Sequence, residues 1–217
     1  MMRALIALLL TATLALAAPA LADCVTKASL ANGVTFTRED GRAGLIRTEG
    51  KRFAIDYAVN SGTAWQDKRQ SWLGIYDAEW VSVPTDTYQA EGGPGGTYSY
   101  RFASQPPMPA PGTTWDTTVT ERGAQAVRFK LGPVAISQRD RTSYAVNYRF
   151  MAEAAVKISG CTYRAMPVEA VFKNQTTDLT RRWIYFPDLG FGLETQVVDR
   201  KGSASRNLGL TSLTPKG

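Results

Sequence analysis

An all-β fold is predicted: an antiparallel meander sheet, curved into a half-barrel or packed as a sandwich, with little helix. Three observations predict it. Apolar and aromatic residues recur at period two in one segment after another. Turn-forming residues fall between those segments. No segment carries an apolar stripe at 3.6-residue spacing with capping residues at its ends.

The chain has 217 residues. Met1, Met2 and Arg3 form a short positive head, followed by an apolar run over 4–18 and the small-x-small triplet Ala20, Leu21, Ala22. This reads as a secretory signal peptide, residues 1–22, cleaved between Ala22 and Asp23. The run is short for a hydrocarbon core of about 30 Å, so no transmembrane segment is expected in the mature chain. Asp23 is neither small nor neutral, which argues against lipidation of Cys24. Residues 23–217 remain as a single β-rich domain, or as two similar halves, 23–104 and 112–217. A chain of that length buries roughly 70% of its extended surface. The expected location is periplasmic or secreted.

Phe53, Ile55 and Tyr57 share one strand face, as do Tyr98, Tyr100 and Phe102. Tyr144, Val146, Tyr148 and Phe150 alternate in the same way, and the pattern runs on to Ile158 as one long strand or a bulged pair. Val168, Ala170 and Phe172, then Trp183 and Tyr185, then Leu193, Thr195 and Val197 complete the series. Turns are expected at Glu39-Asp40-Gly41, Glu49-Gly50-Lys51, Arg122-Gly123, Pro187 to Gly190 and Lys201-Gly202. One short helix is expected within 61–72. Gly92-Gly93-Pro94-Gly95-Gly96 is a flexible connection; no Lys-Ser/Thr follows to make it a phosphate loop. Pro106, Pro107, Pro109 and Pro111 predict an extended, partly polyproline loop between the two candidate halves.

Composition restricts the chemistry. The chain has no His, which removes the commonest general base and metal ligand, and with them the Ser-His-Asp and Cys-His hydrolases. The net charge is +6, and removal of Arg3 lowers it by one. The basic groups at Arg139-Asp140-Arg141, Arg181-Arg182 and Arg200-Lys201 are too short for a nucleic-acid arm and read as solvated. Asp56, Glu79, Asp116, Glu153 and Glu169 are the carboxylates from which a glycosidase pair would be drawn, but no motif selects two of them. No calcium loop and no metal motif is present. Cys24 and Cys161 are the only cysteines; an even count in an exported chain predicts one structural disulfide. They are too far apart in sequence for a C-x-x-C redox pair.

Two segments carry a family resemblance. Pro109-Ala110-Pro111-Gly112-Thr113-Thr114-Trp115 resembles a P-x-x-G-x-x-W strand start. Cys161-Thr162-Tyr163 leads to Arg182-Trp183-Ile184-Tyr185-Phe186-Pro187-Asp188-Leu189-Gly190. This succession resembles uncharacterised exported β-rich proteins of Gram-negative bacteria, which place a Cys-bearing strand before a Tyr-x-Pro-x-x-Gly turn. Met166-Pro167-Val168-Glu169-Ala170-Val171-Phe172 stands where those proteins carry V-P-A-G-x-F. A second resemblance is to the lipoprotein-localisation carriers, half-barrels that curve a sheet around an apolar cavity; a clear helical plug is missing here.

The function expected is non-catalytic: binding of a lipid or other apolar or amphipathic ligand, or of an envelope component, with no cofactor and no nucleic acid. Phe53, Tyr57, Tyr100, Trp115, Trp183 and Tyr185 are the candidate lining, with Arg side chains at a rim. The alternatives are a structural module that docks an envelope protein through sheet edges or the Pro-rich loop, and a His-independent carboxylate hydrolase.

Overall fold

The computed structural model describes residues 23–58, 65–84, 95–128, 135–199 and 208–217. The expected signal peptide over 1–22, the turn expected at Lys201-Gly202 and residues 92–94 of the glycine-rich connection lie outside the described residues. Among the described residues one four-residue helix, α1 (Ser29–Asn32), precedes thirteen strands. These are β1 (Val34–Arg38), β2 (Ala43–Glu49), β3 (Arg52–Tyr57), β4 (Trp65–Trp72), β5 (Tyr76–Pro84), β6 (Gly95–Phe102) and β7 (Thr114–Arg128). Then come β8 (Ala135–Phe150), β9 (Ala154–Ile158), β10 (Cys161–Lys173), β11 (Asp178–Phe186), β12 (Phe191–Asp199) and β13 (Leu210–Pro215).

All pairings are antiparallel, and the strands form one curved, nearly closed barrel-like sheet. Its order is β12-β11-β10-β8-β7-β6-β5-β4-β3-β2-β1-β13. The meander departs from sequence order twice. β13 returns to pair with β1, and β9 pairs with the first part of β10. The alternation through 144–158 is therefore split into β8 and β9, with the break at 151–153. The reason lies in β10. Cys161, Tyr163 and Ala165 are buried on one face, whereas Met166, Val168, Ala170 and Phe172 are buried on the other. One strand thus serves two interiors and needs a different partner for each.

Those interiors are two apolar clusters. The first gathers Phe36, Ile46, Ile55 and Tyr57 with Tyr163, Phe186 and Phe191. The second gathers Tyr76, Tyr148, Phe150, Trp183 and Tyr185. β11 touches both: Ile184 and Phe186 face the first cluster, Trp183 and Tyr185 the second. Full burial of such a side chain contributes about 1.5–3 kcal/mol, so the two clusters supply most of the fold's cohesion. The disulfide joins Cys24 to Cys161 with 5.7 Å between Cα atoms, and the adjacent Val25 N–H donates to the Tyr163 hydroxyl at 3.0 Å.

Two expectations are corrected. The helix within 61–72 is strand β4 from Trp65 onward, because its polar residues alternate across a sheet rather than around a helix. Residues 61–64 lie outside the described residues. Arg122-Gly123 is no turn but lies inside β7, where Gly123 pairs with Tyr98. A Cβ at Gly123 would stand 3.0 Å from the Tyr98 ring, so the missing side chain makes room for an aromatic neighbour.

The β4–β5 turn reaches β12. Leu73 and Gly74 have φ of 55° and 68°, and the Leu73 carbonyl accepts the Gly192 N–H at 2.8 Å. A Cβ on Gly74 would lie 2.1 Å from the Gly192 carbonyl oxygen. Gly74→Ala is expected to cost at least about 2 kcal/mol, through both strain and displaced backbone. The measurement is urea unfolding: a lower midpoint at unchanged slope. Gly50→Ala is the control. Its φ is 62° with nothing within 4 Å, so it should cost only about 1 kcal/mol.

Candidate functional site

The strands put two features side by side: a buried charge cluster and an open aromatic groove. The cluster comes from four strands. Arg69 lies on β4, Asp77 on β5, Arg181 on β11 and Glu194 on β12, all of them buried. Arg181 Nη2 meets Asp77 Oδ2 at 2.6 Å and its Nε donates to Glu194 Oε2 at 2.6 Å. Arg69 Nη1 donates to the same Glu194 oxygen at 2.9 Å and stands 3.7 Å from Asp77. The two guanidiniums also lie over aromatic faces, Arg69 above Tyr57 at 5.3 Å and Arg181 above Trp183 at 4.8 Å. Tyr57 belongs to the first apolar cluster and Trp183 to the second, so the charges sit where the two meet.

Two β-bulges build this cluster. In β5 the register shifts so that Asp77 opposes Ser71 while Glu79 opposes Gln70, leaving Ala78 extra. In β12 Glu194 opposes Trp183 while Gln196 opposes Arg182, leaving Thr195 extra. Each bulge adjoins one acid of the cluster and re-aims it inward. Burial alone would raise the Glu194 pKa, but Arg181 and Arg69 outweigh it and hold the carboxyl down at about 2. Burial would lower the Arg69 and Arg181 pKa values; the acids, Glu194 and Asp77, outweigh it and hold both above the ordinary value. Arg69, Arg181 and Glu194 therefore stay charged.

The groove lies between the Pro-rich loop and the β4–β5 turn, with a volume of about 610 Å³. Trp72, Tyr76, Tyr100 and Phe102 supply aromatic surface, Leu73 and Met108 add aliphatic walls, and Lys51 and Arg101 stand among the lining as cations. Ring contacts fix the floor. Tyr76 meets Phe102 edge-on at 5.9 Å and Tyr148 at 5.2 Å, and Phe102 stacks on Trp115 at 5.8 Å. The Tyr76 hydroxyl donates to the Pro107 carbonyl at 2.9 Å, which holds the Pro-rich loop over the floor. Met108, on that loop, is 67% exposed.

Of the predicted lining residues, only Tyr100 borders the groove. Trp115, Trp183 and Tyr185 join Tyr100 in or against the second cluster, where they support the floor from within. Tyr57 belongs to the first cluster and Phe53 packs against it; neither lines the groove. Tyr57 is enclosed by Arg42 at 4.3 Å and Arg69, and burial raises its pKa to about 12. The five carboxylates singled out by composition do not converge. Asp56 pairs with Arg47, Glu79 with Arg52, Glu153 with Arg164 and Glu169 with Arg182, while Asp116 accepts from Asn147. Arg181 corrects the reading of Arg181-Arg182 as solvated: it is 9% exposed, held inside by two acids. Sequence reasoning missed Arg69, Asp77, Arg181 and Glu194. The available signal was β4 itself, polar on both faces within an aromatic-rich β chain, which implies polar partners on its inner side.

Among the described residues no group of acidic or cysteine side chains is placed to hold a metal ion, and no helix is long and apolar enough to cross a membrane. Comparison with protein-family models, with curated proteins and with solved structures gives no match. The functional reading therefore rests on the chain's own chemistry.

Proposed function

We propose that this chain is a non-catalytic protein of the Gram-negative envelope, exported by a signal peptide over 1–22, that binds an apolar or amphipathic ligand in the groove beneath its Pro-rich loop. The observation that carries the reading is the groove's composition. An aromatic floor over about 610 Å³ falls in the size range of small-molecule pockets, and Lys51 and Arg101 are positioned to meet an anionic head group. The left-handed conformation of Leu73 supports it further, because strain of this kind concentrates at binding sites. Apolar ligand surface would be buried against Trp72, Tyr76 and Phe102, with Met108 adapting to its shape.

The test is titration with dansyl-labelled undecanoate, followed by fluorescence. Wild type is expected to bind saturably. Ala103→Glu places an acidic side chain in the groove that holds Lys51 and Arg101, at an exposed position, and is expected to weaken binding of this anionic probe at least about tenfold without loss of stability. Saturable binding that is equally tight in Ala103→Glu, or no saturable binding in wild type, would contradict the proposal.

A further inference from the structure

A second cavity, of about 170 Å³, follows the groove along the same three strands. β4 contributes Trp72 to the groove and Arg69 to the inner cavity, β5 contributes Tyr76 and Trp80, and β6 contributes Phe102 and Tyr100. Among the described residues, Tyr100 is the one lining residue that the two spaces share. The register accounts for its position. Phe102 opposes the buried Val119 and Tyr100 opposes Glu121, so these side chains share the inner face of β6 and β7. Tyr98, two residues before Tyr100, stacks at 4.9 Å on Trp80 of the inner cavity. The inward rings of β6 therefore run from the inner cavity to the groove, and Tyr100 stands between the two.

The Tyr100 ring is held in place. Its body packs against the second apolar cluster, and its hydroxyl donates to the Glu121 carboxylate, which also accepts from Tyr144. Beyond it, Arg69 and Arg181 pair with Asp77 and Glu194, while Trp80, Phe172, Leu179 and Val197 add apolar wall. The space there holds about five or six groups of about 30 Å³, the share of a water and close to that of a methylene. An apolar tail laid against Trp72, Tyr76 and Phe102 meets Tyr100 before it can use that space. We propose that Tyr100 is the specificity-determining residue of the groove: its ring is the partition that ends the ligand's tail and sets the longest acyl chain accepted. This rests on the reading of the groove as the site of an amphipathic ligand and adds to it a limit on chain length.

The experiment displaces dansyl-labelled undecanoate from the full, disulfide-bonded mature chain with decanoate and with hexadecanoate, both below their micellar concentrations. The quantity read is the ratio of the two affinities, which a merely structural role of Tyr100 would not move. In wild type the added carbons of hexadecanoate stay outside the apolar site, and the ratio is expected to lie within about threefold of one. Tyr100→Ala opens the groove into the inner cavity, and the ratio is expected to rise at least about tenfold in favour of hexadecanoate. Tyr100→Phe keeps the ring and loses only the bond to Glu121; its ratio is expected to stay within about twofold of wild type. Tyr100→Val replaces Tyr100→Ala if the latter loses cooperative unfolding, because a β-branched residue suits the strand. Saturable probe binding with an unchanged ratio in the ring-deleted variant, or an equal rise in Tyr100→Phe, would overturn this proposal alone. No saturable probe binding in wild type would overturn the groove reading and this proposal with it.

Discussion

Glu194→Ala is expected to destabilise the protein by about 3–5 kcal/mol, the cost of leaving buried charge without its partner. Glu194 is 1% exposed and is the only group in the cluster that receives hydrogen bonds from both Arg69 and Arg181. Its removal leaves Asp77 to face two guanidiniums, all three groups being buried. Arg69→Met combined with Glu194→Met removes one charge of each sign and is expected to recover part of the loss, because the Arg181–Asp77 pair remains. Urea unfolding of the three proteins measures both effects; a loss under about 1 kcal/mol in Glu194→Ala would contradict the assigned role. The cluster also sets a pH dependence. The Glu194 carboxyl is held at about 2 in the folded chain against an ordinary 4.5, so it binds fewer protons folded than unfolded. Its contribution, about 3 kcal/mol, is fully present above pH 4.5 and is lost as pH falls toward 2. Stability measured across that window should therefore fall more steeply in wild type than in the Met–Met variant.

Replacing both cysteines by Ser is expected to have the next largest effect. The bridge spans 137 residues, and closing a loop of that length stabilises by about 5 kcal/mol in the chain-entropy model. It also ties Val25 and Leu30 into the first apolar cluster, which the chain would otherwise have to hold with a four-residue helix. At about 2–4 °C per kcal/mol for a chain of this size, the melting temperature should drop by about 10–20 °C. Calorimetry of the Cys24→Ser, Cys161→Ser double variant measures it. A drop of less than about 3 °C would mean that the first cluster holds the N-terminal segment without the bridge.

The fold was legible where period two met turn residues. Tyr144 to Phe150, Val168 to Phe172, and Trp183 with Tyr185 all lie on the faces their alternation predicts, because strands with one apolar face leave a direct signature. The bridge between Cys24 and Cys161 was legible from the even cysteine count together with the expected export. β4 was hidden because Gln66 to Ser71 are polar throughout, so its inward Asp67, Arg69 and Ser71 look like solvent-facing residues. Glu194 was hidden for a different reason. Phe191 to Thr195 are buried without a break and the bulge at Thr195 shifts the register, so no period of two marks an inner face there. The aromatic lining was half legible. Alternation identifies which rings turn inward, and Tyr100, Trp115, Trp183 and Tyr185 do come together. It carries no information on which inward rings border open space, because that depends on how the sheet curls and on where Tyr76 anchors the Pro-rich loop.

Native mass spectrometry of the protein purified from a bacterial periplasm, followed by solvent extraction, tests the binding reading most directly. The account predicts a reproducible added mass that extracts as an apolar or amphipathic compound and is depleted in Ala103→Glu. A clean apo mass in wild type, together with no saturable binding of dansyl-labelled undecanoate, would contradict it.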